Sequence, residues 1–155
     1  MRRLSACAVV ALGVLLCAAV AADAQTPAKA PRVGLLSIGT DPARPGPQWT
    51  AFLGGLRTLG YVEGQNIVIE RRFAAGNEQR VTEFAAELVQ RQVNLIVVTG
   101  TREVMAARRA TTTIPIVTIV APDLVAAGLV TSLARPGGNI TGLTFSASGV
   151  GGKYV

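Results

Sequence analysis

The sequence predicts an α/β protein built on an open parallel sheet with helices on both faces. Three observations predict this fold class. Short, almost continuously apolar segments have the character of strands that are buried on both sides. Amphipathic segments with helical spacing separate these strands, and glycine, proline or asparagine lies at the junctions. Strands that alternate with helices form parallel sheets with right-handed crossovers.

The first strand and helix follow a leader at residues 25–31, whose composition is typical of a flexible segment. Residues 33–38 are the first predicted strand. After a loop rich in glycine and proline, apolar side chains at helical spacing predict a helix that ends at Leu59-Gly60. This apolar stripe consists of Trp49, Phe52, Leu53 and Leu56. We therefore interpret Trp49 as a core residue, with stacking on a ligand as the alternative.

The second and third units repeat the pattern. A strand at 67–73 precedes a helix that Asn77 can cap, and a short buried strand at 95–98 precedes an alanine-rich helix that ends near Ala110. The apolar stripe of the helix after Asn77 consists of Val81, Phe84, Ala85, Leu88 and Val89. Both units extend the predicted sheet.

Two more strands complete the prediction. The fourth covers 114–120, with a proline tolerated at its beginning. Asp123 is predicted to cap a short helix at 124–133, and a break rich in glycine then leads to a fifth strand at 140–145. The expected lobe thus has five strands and four helices and covers residues 32–145.

A candidate ligand site follows from this fold. Open parallel sheets bind ligands where loops leave the carboxyl ends of the strands, next to helix N-termini. The loops concerned are 37–41, 73–77, 99–102 and 121–123. The candidate ligand-binding residues within them are Ser37, Thr40, Asp41, Thr99, Gly100, Thr101 and Asp123.

The Thr99-Gly100-Thr101 turn is the most informative part of this candidate site. A helix N-terminus has free backbone N–H groups and partial positive charge, so it can hold a carboxylate. A threonine at this position can equally serve as an ordinary helix cap, and both interpretations stay open. Asp123 has the same two interpretations, with capping favoured.

The N-terminus predicts export. Two arginines follow Met1, an apolar stretch covers 4–20, and an A-x-A site ends at Ala24, as in a secretory signal peptide. We expect residues 1–24 to be cleaved and the mature protein to be periplasmic or otherwise exported. The alternative of a membrane anchor is disfavoured, because the apolar stretch is shorter than the ~20 residues of a spanning helix.

The inventory of reactive side chains argues against catalysis. Cys7 and Cys17 lie within the predicted signal peptide, so the mature chain has no thiol. Lipid anchoring at Cys17 is disfavoured, because the bulky Leu16 precedes it. The sequence contains no histidine, which excludes a Ser-His-Asp triad and histidine metal sites. Neither G-x-G-x-x-G nor a P-loop is present. No enzyme activity, cofactor or metal is predicted.

The charged residues are dispersed. The net charge is +6, or +5 once the two arginines and one aspartate of the signal peptide are removed. The pairs Arg71-Arg72 and Arg108-Arg109 are expected on solvated faces, and no pattern of basic and aromatic residues indicates nucleic acid. Solvated charge is also the expectation for five glutamates: Glu63, Glu78, Glu83, Glu87 and Glu103.

Three stretches carry a family resemblance: Leu59-Gly60-Tyr61-Val62-Glu63-Gly64-Gln65-Asn66-Ile67, then 84–89, and finally 128–130 with 132–142. Together they resemble the ABC transporter substrate-binding protein family, whose better-known members are receptors of tryptophan- and tyrosine-type importers. The resemblance implies a type I periplasmic-binding-protein fold, in which two α/β lobes close on a small solute. It also implies two partners, a membrane permease and its ATPase, and no cofactor.

The same resemblance implies a domain organisation. Members of the family are about twice as long as this chain, so residues 32–145 correspond to the N-terminal lobe, residues 146–155 to the hinge and the beginning of a second lobe, and the rest of that lobe is missing. Two departures from the family pattern affect the site. Arg102-Glu103 replaces the usual proline and alanine and is expected to place two charges at the cleft rim, and Asp123-Leu124 replaces Asp-Pro.

The leading hypothesis is therefore an extracytoplasmic solute-binding component of an ABC importer, whose ligand is a small polar organic solute such as an amino acid. An extracytoplasmic sensory module that reports ligand to a signalling receptor is the alternative. An exported enzyme rests on the fold alone, and fold does not imply function.

Overall fold

A five-stranded parallel sheet with the strand order β2-β1-β3-β4-β5 organises the chain. It is seen in a computed structural model that describes residues 29–39, 46–122, 124–132 and 134–145. The strands are β1 (Arg32–Ser37), β2 (Val68–Phe73), β3 (Leu95–Val98), β4 (Ile116–Pro122) and β5 (Ile140–Phe145). The helices are α1 (Pro47–Thr58), α2 (Glu78–Gln90) and α3 (Thr101–Ala110). The predicted fold class is confirmed.

Local signals explain where the helices begin and end. Pro47 occupies the first turn of α1, where its missing N–H is not needed, and Gly60 follows the helix with φ +84°. Asn77 caps α2 as predicted, because its side-chain oxygen accepts a hydrogen bond from the N–H of Arg80 at 3.1 Å.

Helices cover both faces of the sheet, and two apolar clusters form the core. One cluster joins α1 to Val33 and Leu35 of β1 and Val97 of β3. The other joins α2 and α3 to the opposite face, where Leu36, Ile96, Val98 and Ile116 are fully buried. This alternation follows from the period-two side-chain pattern of strands whose two faces are both covered.

The predicted fourth helix at 124–133 is wrong. Residues 124–128 form turns, and Gly128 has φ +64°. The N–H of Gly128 bonds to the Val125 oxygen and that of Leu129 to the Leu124 oxygen, both at 2.9 Å, which closes the chain after a single turn. One turn is too short to propagate a helix, and a left-handed glycine ends it.

The basic pairs differ in their environments. Arg108 and Arg109 are exposed, as predicted. The prediction is wrong for Arg71 and Arg72, which lie on the edge strand β2 and are ion-paired and only partly exposed. Arg71 donates hydrogen bonds to Glu63, which lower the pKa of that carboxyl, and Arg72 donates to Glu87 at 2.8 Å.

The predicted signal peptide, 1–24, and the predicted hinge, 146–155, lie outside the described residues. In the described part of the chain, no helix has both the length and the apolar character that crossing a membrane requires.

Candidate functional site

The strand order creates a topological switch point between β1 and β3. From β1 the chain moves to β2 on one side, and the later strands continue on the other side of β1. The carboxyl ends of β1 and β3 lie next to each other, with Leu36 paired to Val98, while the loops that follow them diverge. A crevice of this kind is where open α/β sheets bind their ligands.

A cavity of about 680 Å³ opens at this switch point. Its volume lies within the range of small-molecule sites, about 300–1,000 Å³. Four of the predicted site residues line it: Ser37, Thr99, Gly100 and Thr101. Thr40, Asp41 and Asp123 lie outside the described residues. The ligand-binding role of all seven stays a prediction.

A threonine of the Thr99-Gly100-Thr101 turn was one candidate for the cap of α3, and this interpretation is wrong. Gly100 is the N-cap of α3, and no side chain caps the helix. The Thr99 hydroxyl donates to the carboxylate of Glu103 at 3.3 Å instead. Within the described part of the chain, the first-turn N–H groups of Thr101 and Arg102 have no acceptor, so they are available to a ligand.

Glu103 overturns the expectation of a solvated charge. Only 3% of this residue is exposed, and it lines the cavity. Its Oε1 accepts hydrogen bonds from the Ile38 N–H at 3.0 Å and from Thr99, so it connects the loop after β1 to the beginning of α3. A glutamate at the third position of a helix reaches back towards the N-terminus, and this position was the signal in the sequence that could have revealed it.

Arg102 behaves differently from its neighbour. Its side chain is 68% exposed and forms an ion pair with Glu78 at 2.8 Å. It lines the outer part of the same cavity. The expected pair of charges at the rim is therefore one exposed arginine and one buried carboxylate.

An aromatic wall, formed by Trp49 and Phe73, completes the cavity. Their ring centroids are 5.9 Å apart, and Phe52 contacts Trp49 from the core side at 6.4 Å. Trp49 is 3% exposed, which confirms its place in the core, and it also faces the cavity. Phe73 was not a candidate residue, although the loop that it begins was part of the predicted site. The exposed Gln48 adds an amide at the beginning of α1.

Chemically, the site offers hydroxyls, a helix N-terminus, one buried carboxylate and an aromatic wall. No group of three or more potential metal ligands occurs among residues 29–39, 46–122, 124–132 and 134–145. These groups can bind a small organic molecule that has both polar and apolar parts.

Comparison with known proteins gives a family and several relatives. A family model described as ABC transporter substrate binding protein matches residues 45–149. A tyrosine-binding protein from Clostridioides difficile is 37% identical over 91 residues, which cover 59% of this chain and 26% of the relative.

Solved structures agree with this match. The ABC domain from Streptococcus pneumonia in complex with L-Trp has a TM-score of 0.68 and is 26% identical in sequence. A conserved domain protein from Vibrio cholerae has a TM-score of 0.69 and is 34% identical. Each match covers 75% of this chain and 39% of the solved one. A ligand-free, open substrate-binding protein with adhesive properties from Clostridium difficile has 0.67 at 31%, covering 72% and 38%. The chain thus spans about two fifths of these solved chains and about a quarter of the tyrosine-binding protein.

Proposed function

We propose a function from the premise that this chain belongs to the ABC transporter substrate-binding protein family. The proposed function is the capture of an amino acid with an aromatic side chain, between this lobe and a second one, for an ABC importer. The observation that carries it is the cavity at the switch point, which combines polar groups with an aromatic wall.

The two ends of such a solute match the two sides of the cavity. Thr99, Thr101 and Gln48 provide hydroxyl and amide groups for the polar end. Phe73, which is partly exposed and packs against the buried Trp49, offers its ring to an aromatic side chain in an offset or edge-to-face contact. Binding of tyrosine and of L-Trp by two relatives supports this solute class.

The domain organisation that we propose gives each segment a part in this function. Residues 1–24 direct export, residues 25–31 are a leader, residues 32–145 form the solute-binding lobe, and residues 146–155 lead towards a second lobe. Closure of two lobes around a hinge holds the solute until a membrane permease and its ATPase receive it. No catalytic step belongs to this function.

Isothermal titration calorimetry on the protein expressed from its complete gene tests the proposal. We expect saturable binding of L-tryptophan or L-tyrosine, and much weaker binding of leucine and glutamate.

Phe73→Leu should weaken binding of the aromatic solute by about tenfold, because the loss of an aromatic contact removes about 0.5–1.5 kcal/mol beyond the lost area.

Phe52→Leu is the matched control, because Phe52 also contacts Trp49 but does not line the cavity. It should leave affinity within about twofold of the wild type. An absence of saturable binding across the amino-acid panel would contradict the proposed function.

A further inference from the structure

The buried carboxylate of Glu103 has no cationic partner in the described part of the chain. None of the ion pairs within residues 29–39, 46–122, 124–132 and 134–145 includes it. Its two hydrogen-bond donors, the Ile38 N–H and the Thr99 hydroxyl, are both neutral and both bind Oε1. Buried carboxylates are normally paired with a cation, because desolvation of an unpaired charge is costly.

The position of Glu103 indicates how a cation could reach its carboxylate. The residue lines the switch-point cavity, and Oε2 accepts no hydrogen bond from a described residue. Among the other polar side chains of the cavity, Ser37, Thr99 and Thr101 carry no charge, and the exposed Arg102 is paired with Glu78. A cation that reaches Oε2 through the cavity would complete the arrangement with a charge-assisted hydrogen bond.

We propose that Glu103 is the specificity-determining residue of this cavity, and that it binds the ammonium group of an amine-bearing solute. This inference rests on the proposed function and deepens it. It also reverses the orientation that the helix N-terminus alone suggests. A solute carboxylate placed beside Glu103 would be repelled, so the ammonium end faces this carboxylate and the solute carboxylate lies elsewhere.

The test compares each amino acid with an analogue that lacks only the amino group. L-tryptophan is paired with indolepropionate, and L-tyrosine with hydroxyphenylpropionate, in calorimetric titrations of the protein expressed from its complete gene. The wild type should prefer the amino acid by about ten- to hundredfold, because hydrogen bonds to charged groups contribute about 1.5–3 kcal/mol. Glu103→Gln, which keeps an acceptor for Ile38 and Thr99, should abolish most of this preference while leaving the analogue's affinity unchanged.

Two further variants separate charge from structure. Glu103→Asp keeps the charge and should retain part of the preference. Glu83→Gln removes an exposed carboxylate that belongs to α2 and does not line the cavity, so it should leave the preference unchanged. The melting temperature of each variant shows whether it is folded.

The outcomes distinguish this inference from the proposed function. If the wild type binds none of the four compounds, both are overturned. If the amino acids bind and Glu103→Gln leaves their preference over the analogues intact, only the role of Glu103 is overturned. Equal weakening of amino acid and analogue by Glu103→Gln would mean that the residue merely supports the loop, and would also overturn the inference.

Discussion

Gly100 and Glu103 depend on each other at the beginning of α3. The backbone of Gly100, with φ −153° and ψ 169°, is extended and accessible to any residue. A Cβ atom at this position would nevertheless lie 2.7 Å from Oε2 of Glu103. The space beside Gly100 is therefore occupied by the buried carboxylate, and the missing side chain is what permits its inward position.

This dependence predicts a thermodynamic coupling. Gly100→Ala should lower the free energy of unfolding by about 1–3 kcal/mol, because the added methyl displaces a buried carboxylate from its two donors. In a Glu103→Ala background the same substitution should have little effect. Urea denaturation of the four proteins measures the coupling, which we expect to be about 0.5–3 kcal/mol. Strictly additive effects of the two substitutions would contradict the close approach of the Glu103 carboxylate to Gly100.

Individual residues also show how far the sequence could predict the site. The loops after β1 and β3 were located from strand ends alone, and Ser37, Thr99, Gly100 and Thr101 do line one cavity. Glu103 was expected at the cleft rim, but its burial was missed, because the side chain of a helical glutamate is exposed by default. Its inward position depends on the Ile38 N–H, 65 residues earlier in the chain. A partner so distant in sequence cannot be predicted from the residues around Glu103.

At the scale of elements, α2 lies so close to β1 that Gly34 has no room for a side chain. A Cβ atom on Gly34 would lie 2.9 Å from both terminal methyl carbons of Leu88. Leu88 is fully buried in the cluster that joins α2 and α3 to the sheet. The glycine in β1 therefore sets the distance between this helix and the strand that ends at the candidate site.

Gly34→Ala should lower the free energy of unfolding by about 1–3 kcal/mol, because it overpacks this helix-sheet contact. Gly54→Ala is the matched control, since Gly54 lies within α1 and its Cβ would meet nothing within 4 Å. There the gain in helix propensity should raise stability by about 0.5–1 kcal/mol. Chemical denaturation distinguishes the two, and similar effects of both substitutions would argue against the tight packing of α2.

Elements were predictable where a periodic pattern and its stop signals agreed. The five strands and three helices lie within about two residues of their predicted bounds, because buried apolar runs and caps such as Asn77 act locally. The helix predicted at 124–133 failed because Gly128, at positive φ, ends the segment after one turn. A glycine inside a helical pattern is compatible with both outcomes, and packing decides between them.

For the molecule as a whole, the strand order was the feature that the sequence did not supply. Alternation of strands and helices predicts a parallel sheet, but several orders satisfy it. The observed order places β1 and β3 side by side and creates the switch point. The cavity is therefore a consequence of pairings between distant segments, to which Phe73 on β2 and Trp49 on α1 contribute the aromatic wall.

A single lobe of the proposed cleft should bind its solute only weakly. One lobe presents one wall of the proposed cleft, so it leaves much of a bound solute exposed to water, whereas well-formed sites bury 70–90% of a drug-sized ligand. Residues 25–155 alone should therefore bind the preferred aromatic amino acid at least about tenfold more weakly than the protein expressed from its complete gene. Calorimetry of both forms measures the difference, and a cooperative thermal transition verifies that the shorter form is folded. Equal affinity of the two forms would mean that the switch-point cavity suffices by itself, and would contradict binding between two lobes.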